Sequence, residues 1–262
     1  MIEVHELSVV YPGGVRALAP TSLRFEAGAF TVLLGASGAG KSTLLRCLNG
    51  LVRPSAGKVT DASGADLLAP RALRAHRCAT GMIFQQHQLI GRLSVLDNVL
   101  TGRLGFHGAL RTLLPFALAE RRLALAAIER VGLIDMALRR ADRLSGGQQQ
   151  RVGIARALVQ SPRLILADEP VASLDPKSAE RVLGLLHRIC KDDGLTAIVS
   201  LHQLDFARRF ADRIVALAGG AVVFDGPPQA LGPGEIERVY GGAPATAAGS
   251  FESPAAILET AA

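Results

Sequence analysis

The chain has 262 residues, 49% of them hydrophobic and 20% charged, and its formal net charge is +6. This is the composition of a globular protein with a substantial core, and no apolar run approaches the roughly 18 residues that indicate a membrane span. The positive charge fits contact with anionic lipid or nucleic acid as well as it fits a solvated basic surface, and no basic run decides between them.

The two ends of the chain and its cysteines predict ordinary features. The N-terminal stretch MIEVHELSVVYP has acids early and no basic segment before an apolar block, so we expect no secretory signal. Cys47, Cys78 and Cys190 lie far apart without metal or redox spacing, which predicts reduced thiols in the core of a cytosolic protein. The segment 241–262 is rich in Ala, Gly and Pro and has no Lys or Arg, which is typical of a mostly disordered tail.

Short apolar runs recur along the chain and predict strands. They lie at 30–34, 57–60, 81–84, 163–168 and 196–200. The longest apolar run, 214–224, is interrupted by Gly219 and Gly220, which predicts two short strands joined by a turn.

Helical patterns alternate with these strands. They occupy 41–51, 146–160 and 178–190, and a longer helical block without a strong strand runs over about 94–132. Helical spacing predicts two buried faces, one of Val152, Ala155, Leu158 and Val159, the other of Val182, Leu185, Leu186 and Ile189. The alternation predicts a parallel sheet flanked by helices and interrupted by an inserted helical subdomain.

The sequence GASGAGKST, residues 35–43, lies between the first of these strands and a helix. It fits the phosphate-binding pattern G-x-x-x-x-G-K-[ST], in which glycines let the backbone wrap closely around a phosphate. In that pattern Lys41 reaches the β- and γ-phosphates and the Ser42 hydroxyl is a Mg²⁺ ligand. The segment therefore predicts a P-loop, with a chance glycine-rich turn as the alternative.

The sequence RLILADEP, residues 163–170, ends an apolar run in two acids. A strand there would place Asp168 at its carboxyl end, where open α/β sheets bind ligands, and Asp168 could hold Mg²⁺. Glu169 would then polarise an attacking water, which favours hydrolysis over transfer to another substrate. A plain acidic turn is the alternative, and the P-loop lysine 127 residues earlier argues against it.

The sequence LSGGQQQR, residues 144–151 and here called the signature segment, has the pattern of a helix start. Its Ser and two Gly leave backbone N–H groups bare at the positive end of a helix, which makes an anion site without a lysine. The chain therefore carries a second candidate phosphate-binding device besides the P-loop.

With ASLD at 172–175 and SLHQ at 200–203, these motifs resemble those of the ATP-binding-cassette (ABC) ATPases over about residues 1–240. The resemblance implies an α/β fold: a P-loop NTPase core with a parallel sheet, an N-terminal antiparallel β subdomain, and a helical subdomain inserted at about 90–155. It also implies that two copies stack head to tail. Ser145 and Gly147 of each would then contact the γ-phosphate of the ATP held by the other.

The same resemblance assigns further roles. It implies that Gln85, rather than its neighbour Gln86, senses the Mg²⁺ site, that His202 acts near the γ-phosphate, that Asp175 crosses the dimer seam and that Tyr11 stacks on adenine. The implied catalytic residues are Glu169, His202 and Gln85, and the implied Mg²⁺ ligands are Ser42, Gln85 and Asp168. The implied ATP contacts are Tyr11, Gly35, Ser37, Gly38, Gly40, Lys41, Ser42, Thr43, Ser145, Gly147 and Asp175.

Within the ABC ATPases the chain is most similar to the ATPases of phosphonate importers. The similarity lies in FQQHQLIGRLSVLDNVLTGRLG, LADEPVASLDPKS, SLHQLDFARRFADRI and VVFDGPP, with Val171, Ala172 and Leu201 as the distinctive residues. It implies a peripheral subunit on the cytoplasmic face of the cell membrane, with transmembrane permease subunits and, indirectly, an extracytoplasmic solute-binding protein as partners. It implies no nucleic acid partner.

Several alternatives stay open or are argued against. Phosphite, phosphate or another oxyanion could be the solute, because the binding protein and the membrane subunits select it, and a polar amino-acid importer is the nearest related function. A soluble cassette protein of DNA repair would need a long coiled coil between P-loop and signature segment, but Lys41 and Ser145 lie only 104 residues apart. The signature segment and the acid pair argue against a small-molecule kinase.

Overall fold

The computed structural model describes residues 1–86, 88–108 and 114–241, so the predicted tail, apart from Gly241, lies outside the described residues. The strands in those ranges are β1 (Ile2–Val10), β2 (Arg16–Phe25), β3 (Phe30–Leu34), β4 (Ala56–Asp61), β5 (Thr80–Ile83), β6 (Leu164–Ala167), β7 (Thr196–Leu201), β8 (Arg213–Ala218) and β9 (Ala221–Gly226). The α-helices are α1 (Lys41–Leu48), α2 (Pro70–Cys78), α3 (Val95–Leu100), α4 (Leu118–Arg130), α5 (Gly146–Leu158), α6 (Pro176–Asp192), α7 (Leu204–Phe210) and α8 (Pro233–Tyr240). Every helix in the described ranges is too short or too polar to cross a membrane.

The larger sheet has six strands in the order β5-β6-β7-β3-β8-β9, and only β9 runs antiparallel to its neighbour. All five residues of β3 are buried, because the parallel sheet is covered on both faces. Such a strand reads as a nearly continuous apolar run in the sequence. The parallel α/β core predicted from the sequence is thus confirmed, as is the turn at Gly219 and Gly220 between two strands.

A second, antiparallel sheet has the order β2-β1-β4. Its inward side chains, such as Leu7 and Phe25, share one apolar cluster with Leu44 and Leu48 of α1 and with Leu33 of β3. The helix α1 therefore packs between the two sheets, and this packing fixes the loop that precedes it. The antiparallel sheet implied by the family resemblance is present.

The helices α3, α4 and α5 pack together on one side of the core. The predicted face of α5 is buried, and so are Val182, Leu186 and Ile189 of α6. Leu185, however, is only partly buried, whereas Leu183 is fully buried. The buried stripe of α6 is centred between Ala179 and Leu186, and Leu185 lies at its edge.

The expectation of core thiols holds for two of the three free cysteines. Cys47 and Cys190 are buried, and burial raises the pKa of each thiol to about 12. For Cys78 the expectation is wrong, because this residue ends the surface helix α2, in which only His76 is buried. The Cys78 Sγ lies 3.3 Å from the carbonyl oxygen of Gly105.

Candidate active site

The P-loop connects β3 to α1 at the carboxyl edge of the larger sheet. Gly40 caps α1 in the left-handed conformation, at φ +100°, which glycine adopts without strain. A Cβ at this position would lie 2.7 Å from the carbonyl oxygen of Ala17, so no side chain fits. At the other end of the loop, a Cβ on Gly35 would collide with the Leu217 carbonyl oxygen. Ser37, Gly38 and Thr43, the remaining predicted loop contacts, are exposed or partly exposed.

Lys41, the first residue of α1, points into the loop. Its side chain is only 3% exposed, and its Nζ donates hydrogen bonds to the carbonyl oxygens of Gly35 and Ala36, both at 2.9 Å. The same Nζ lies 3.4 Å from Oε1 of Glu169. The loop thus holds its cation at its centre, paired with the acid that follows Asp168.

Asp168 directly follows β6 and is 2% exposed. Its Oδ1 accepts hydrogen bonds from the hydroxyls of Ser42 at 2.7 Å and Ser200 at 3.1 Å. Its Oδ2 lies 3.5 Å from Nη2 of Arg46. The structure therefore brings together Ser42 and Asp168, two of the three residues predicted as Mg²⁺ ligands.

Glu169 has an unusual backbone for a side-chain-bearing residue, with φ +43°. Its N–H donates to Oγ of Ser200 at 2.8 Å, a bond that helps to hold this conformation. Its Oε2 lies 3.7 Å from Nδ1 of His202, the residue after β7. Two predicted catalytic residues therefore face each other, because β7 lies between β6 and β3.

The signature segment begins at an exposed helix start that makes no hydrogen bond or ion pair with the described P-loop residues. Ser145 caps α5 in a capping box: its N–H donates to Gln148 Oε1 at 2.9 Å, and the Gln148 N–H donates to Ser145 Oγ at 3.4 Å. Asp175 caps α6, and hydrogen bonds from Ser178 lower the pKa of its carboxyl. Ser145 and Asp175 are exposed and, among the described residues, form no hydrogen bond or ion pair with the Lys41–Asp168 cluster.

Two other predicted residues lie at the edges of the site. Gln85, just beyond β5, is exposed and makes no hydrogen bond with the described residues. Tyr11 follows β1, is partly buried against the apolar cluster of the antiparallel sheet, and donates its N–H to the carbonyl oxygen of Val15 at 2.9 Å. Their assigned roles stay predictions.

Sequence reasoning missed two side chains that contact Asp168. Arg46 could have been found, because it lies one helical turn after Ser42 and therefore on the same face of α1. Ser200 stands in the quoted SLHQ but carries no local signal, because its contacts depend on which strand lies next to β6.

A P-loop between β3 and α1, with an acid pair at the end of β6, defines a P-loop nucleotide triphosphatase of the α/β class. The model of the ABC transporter family matches residues 18–172, and the chain belongs to this family. The resemblance predicted from the motifs is thereby confirmed.

Two relatives are more than half identical to the chain over nearly its whole length. The chain is 60% identical over 260 residues to the phosphite import ATP-binding protein PxtA of Stutzerimonas stutzeri, covering 99% of this chain and 94% of that protein. It is 57% identical over 243 residues to the phosphonates import ATP-binding protein PhnC 3 of Nostoc sp., covering 93% of each.

Solved structures agree in fold. The ATP-binding cassette MJ0796, solved as a dimer in a post-hydrolysis state with ADP and Pi, has a TM-score of 0.75 and 33% identity and covers 87% of this chain and 99% of that one. A nucleotide-free cassette from an ABC transporter has a TM-score of 0.77 and 27% identity, covering 91% and 94%.

Proposed function

We propose that this chain is the ATP-hydrolysing subunit of an importer for phosphonate or a related phosphorus oxyanion such as phosphite, and that it works on the cytoplasmic face of the cell membrane. The observation that carries the proposal is the cluster at the sheet edge, in which Lys41, Ser42, Asp168 and Glu169 converge on the P-loop. The names of the relatives support the solute class and disfavour the polar amino-acid importer.

The cluster fits ATP with Mg²⁺. The Ser42 hydroxyl and the Asp168 carboxylate are hard oxygen donors 2.7 Å apart, and Mg²⁺ in nucleotide sites takes one or two such protein ligands besides phosphate and water. When bound, Mg²⁺ would neutralise charge on the β- and γ-phosphates. Gln85 is the proposed third protein ligand. Tyr11 would stack on adenine, and the loop residues Gly35, Ser37, Gly38, Gly40 and Thr43 would surround the phosphates.

The ion pair between Lys41 and Glu169 accounts for how hydrolysis begins. The γ-phosphate of ATP offers Lys41 a stronger anionic partner than a carboxylate 3.4 Å away. Glu169, once released, can accept the proton of the attacking water, and His202 beside it helps to hold the γ-phosphate. The site therefore changes from a self-neutralised state to a catalytic one when the nucleotide arrives.

A second copy of the chain completes each site in this proposal. Ser145 and Asp175 are exposed and Gly147 is partly exposed, and none of them contacts the P-loop of its own chain among the described residues, which supports a contact with the nucleotide of the partner. Such a contact exists only in the closed pair, so ATP binding favours closure and hydrolysis favours opening. The dimeric ADP and Pi complex of MJ0796 supports this arrangement.

The permease would dock in a cleft beside Gln85. This cleft of about 580 Å³ lies between α2 and the turn that follows α3, and Arg74, Phe84 and Phe106 are among the residues that line it. Phe84 is the direct neighbour of Gln85, so a change at the Mg²⁺ site can move the cleft wall. The solute-binding protein would contact the permease rather than this chain.

Replacing Glu169 tests the ATPase directly. Glu169→Gln keeps the size of the side chain but removes the base, so it should hydrolyse ATP at least about a hundredfold more slowly. It should bind ATP at least as tightly as the wild type, because the carboxylate that pairs with Lys41 is gone. With ATP it should elute as a dimer from a sizing column. Lys41→Ala, the matched variant, should instead weaken ATP binding in calorimetry. Wild-type turnover by Glu169→Gln would remove Glu169 from this role.

The solute is tested on the assembled importer. Vesicles that contain this chain, the permease and the binding protein are supplied with ATP inside, and uptake of methylphosphonate, phosphite, phosphate and glutamine is compared. We expect the phosphorus oxyanions to be accumulated and to stimulate ATP hydrolysis. Uptake of glutamine alone would overturn the solute assignment and leave the ATPase assignment intact.

A further inference from the structure

The last helix of the described chain contacts the catalytic site through one side chain. The helix α8 is anchored by the buried Val239, and its last residue, Tyr240, extends towards the end of β7. The Tyr240 hydroxyl donates a hydrogen bond of 2.9 Å to the backbone carbonyl oxygen of His202. Tyr240 is 36% exposed, and the burial of the rest of its side chain raises the pKa of its phenol. A phenol is a donor at neutral pH even at its ordinary pKa of about 10.

His202 has few other restraints. It lies between the end of β7 at Leu201 and the start of α7 at Leu204. Its ring is 43% exposed, and in the described part of the chain its polar contact is the 3.7 Å approach of Nδ1 to Glu169 Oε2. The direction of the imidazole therefore depends on the backbone that carries it.

We infer that Tyr240 is a positioning residue for ATP hydrolysis, which holds the carbonyl of His202 and so fixes the imidazole beside Glu169. The inference rests on the proposed function. Tyr240 has no described contact with Lys41 or Ser42, so it acts on the hydrolytic step and leaves nucleotide binding alone. The C-terminal helix thereby becomes part of the catalytic apparatus.

The Tyr240→Phe variant of the full-length chain tests this role, because it removes one hydroxyl and keeps the ring. We expect kcat for ATP to fall about two- to tenfold, the range that one neutral hydrogen bond carries, while KM and the calorimetric ATP affinity stay at wild-type values. Thr21→Val is the matched control. It removes a hydroxyl that donates to the Ala19 carbonyl oxygen at 2.8 Å and has no described contact with Lys41, Glu169 or His202, so it should leave kcat unchanged.

A double-mutant cycle separates positioning from general stability. In the His202→Ala background, followed in single turnovers with excess protein, Tyr240→Phe should cause no further loss, because the imidazole that it positions is gone. An equal loss in both backgrounds, a raised KM, or no effect of Tyr240→Phe would overturn the inference. A wild-type chain without ATPase activity would instead overturn the proposed function. Wild-type activity that depends on His202 but not on Tyr240 would refute the inference alone.

Discussion

The charges around the P-loop compensate one another within the protein. Lys41 and Asp168 are both almost fully buried, and an isolated buried charge costs several kcal/mol. Glu169 pairs with Lys41. Asp168 lies beside Arg46 and accepts hydrogen bonds from the hydroxyls of Ser42 and Ser200. A highly charged site can therefore fold before any ligand binds, and an arriving phosphate exchanges one partner of Lys41 for another.

Ser200 links the two acids, and its loss should disturb both. The Ser200→Ala variant removes the acceptor of the Glu169 N–H and a donor to Asp168. Because Ser200 is fully buried, water does not readily replace the lost hydroxyl. We expect about 1–3 kcal/mol lower unfolding free energy, from the unsatisfied N–H, and a kcat at least about tenfold lower. Urea unfolding and steady-state ATPase assays measure the two effects.

Ser55→Ala is the control for that variant. The Ser55 hydroxyl accepts a hydrogen bond from the Val10 N–H at 3.0 Å in an exposed position, without a described contact to Asp168 or Glu169. The control should change neither quantity by much, since water can replace the lost partner. If Ser200→Ala retains wild-type kcat, the hydrogen bonds of Ser200 to the two acids are not needed for hydrolysis.

At the scale of elements, the order of the strands brings the catalytic residues together. The neighbours β6, β7 and β3 end in the same direction, with Ala167 opposite Val199 and Leu34 opposite Leu201. The loops that carry Asp168, His202 and the P-loop therefore meet at one edge. The crossovers place β7, late in the chain, between two earlier strands.

The sequence predicted the separate elements better than their arrangement. The buried strands of the parallel sheet are short, largely apolar runs, and motifs mark the loops that follow β3, β6 and β7. The order β6-β7-β3 has no local signal, so the contacts of Ser200 could not be anticipated. The antiparallel sheet was reached only through the family resemblance, because register shifts after Val4 and Leu7 break the alternation of β1. The helix α2 was missed because its one buried side chain is a histidine.

That histidine should make folding sensitive to acid. His76 Nε2 lies 2.7 Å from the carbonyl oxygen of Leu48 and ties α2 to the end of α1. Burial lowers the pKa of His76; the Leu48 carbonyl opposes the shift and Arg77 adds to it. The unfolded chain therefore binds the proton more tightly. The stabilisation is complete above about pH 6.5 and is lost as the pH falls through the folded pKa.

His76→Gln tests this, because an amide can donate to the same carbonyl but does not titrate. Its melting temperature should fall less than that of the wild type between about pH 7.5 and pH 5.5. Burial also lowers the pKa of His187, so some acid sensitivity of the melting temperature should remain in His76→Gln. It should shrink further when His187→Gln is added. Equal acid sensitivity in His76→Gln and wild type would contradict the prediction.

At the scale of the whole molecule, the two phosphate-binding devices of one chain serve different nucleotides in our proposal. The P-loop cluster is largely buried, whereas Ser145 and Asp175 are exposed at the adjacent starts of α5 and α6. A two-fold axis that places the signature segment of one copy over the P-loop of the other creates two equal sites. Neither site is complete in a monomer.

Two inactive variants should restore activity when mixed. Lys41→Ala loses nucleotide binding, and Ser145→Arg blocks closure with a bulky cation while its own P-loop stays intact. A mixed dimer contains one site with an intact P-loop and an intact signature segment, and one site with both defects. If the sites act independently, an equal mixture should recover about a quarter of wild-type ATPase activity, because half the dimers are mixed and one of their two sites is whole.

If both sites must act together, the mixture of Lys41→Ala and Ser145→Arg would stay inactive. Crosslinking then decides whether the signature segment contacts the nucleotide of the partner. One chain carries Ser37→Cys and another carries Ser145→Cys. Both chains also carry Glu169→Gln, which holds the closed state, and Cys78→Ser, which removes the partly exposed native thiol. The other native cysteines, Cys47 and Cys190, are buried. Each engineered thiol lies on a different chain, so any disulfide between them doubles the mass on a non-reducing gel. ATP should promote this product, and ADP should not, because the γ-phosphate joins the two segments. If ATP gives no product in the mixture but does close the bond within a single chain that carries both cysteines, the signature segment serves its own nucleotide and the shared-site arrangement is wrong.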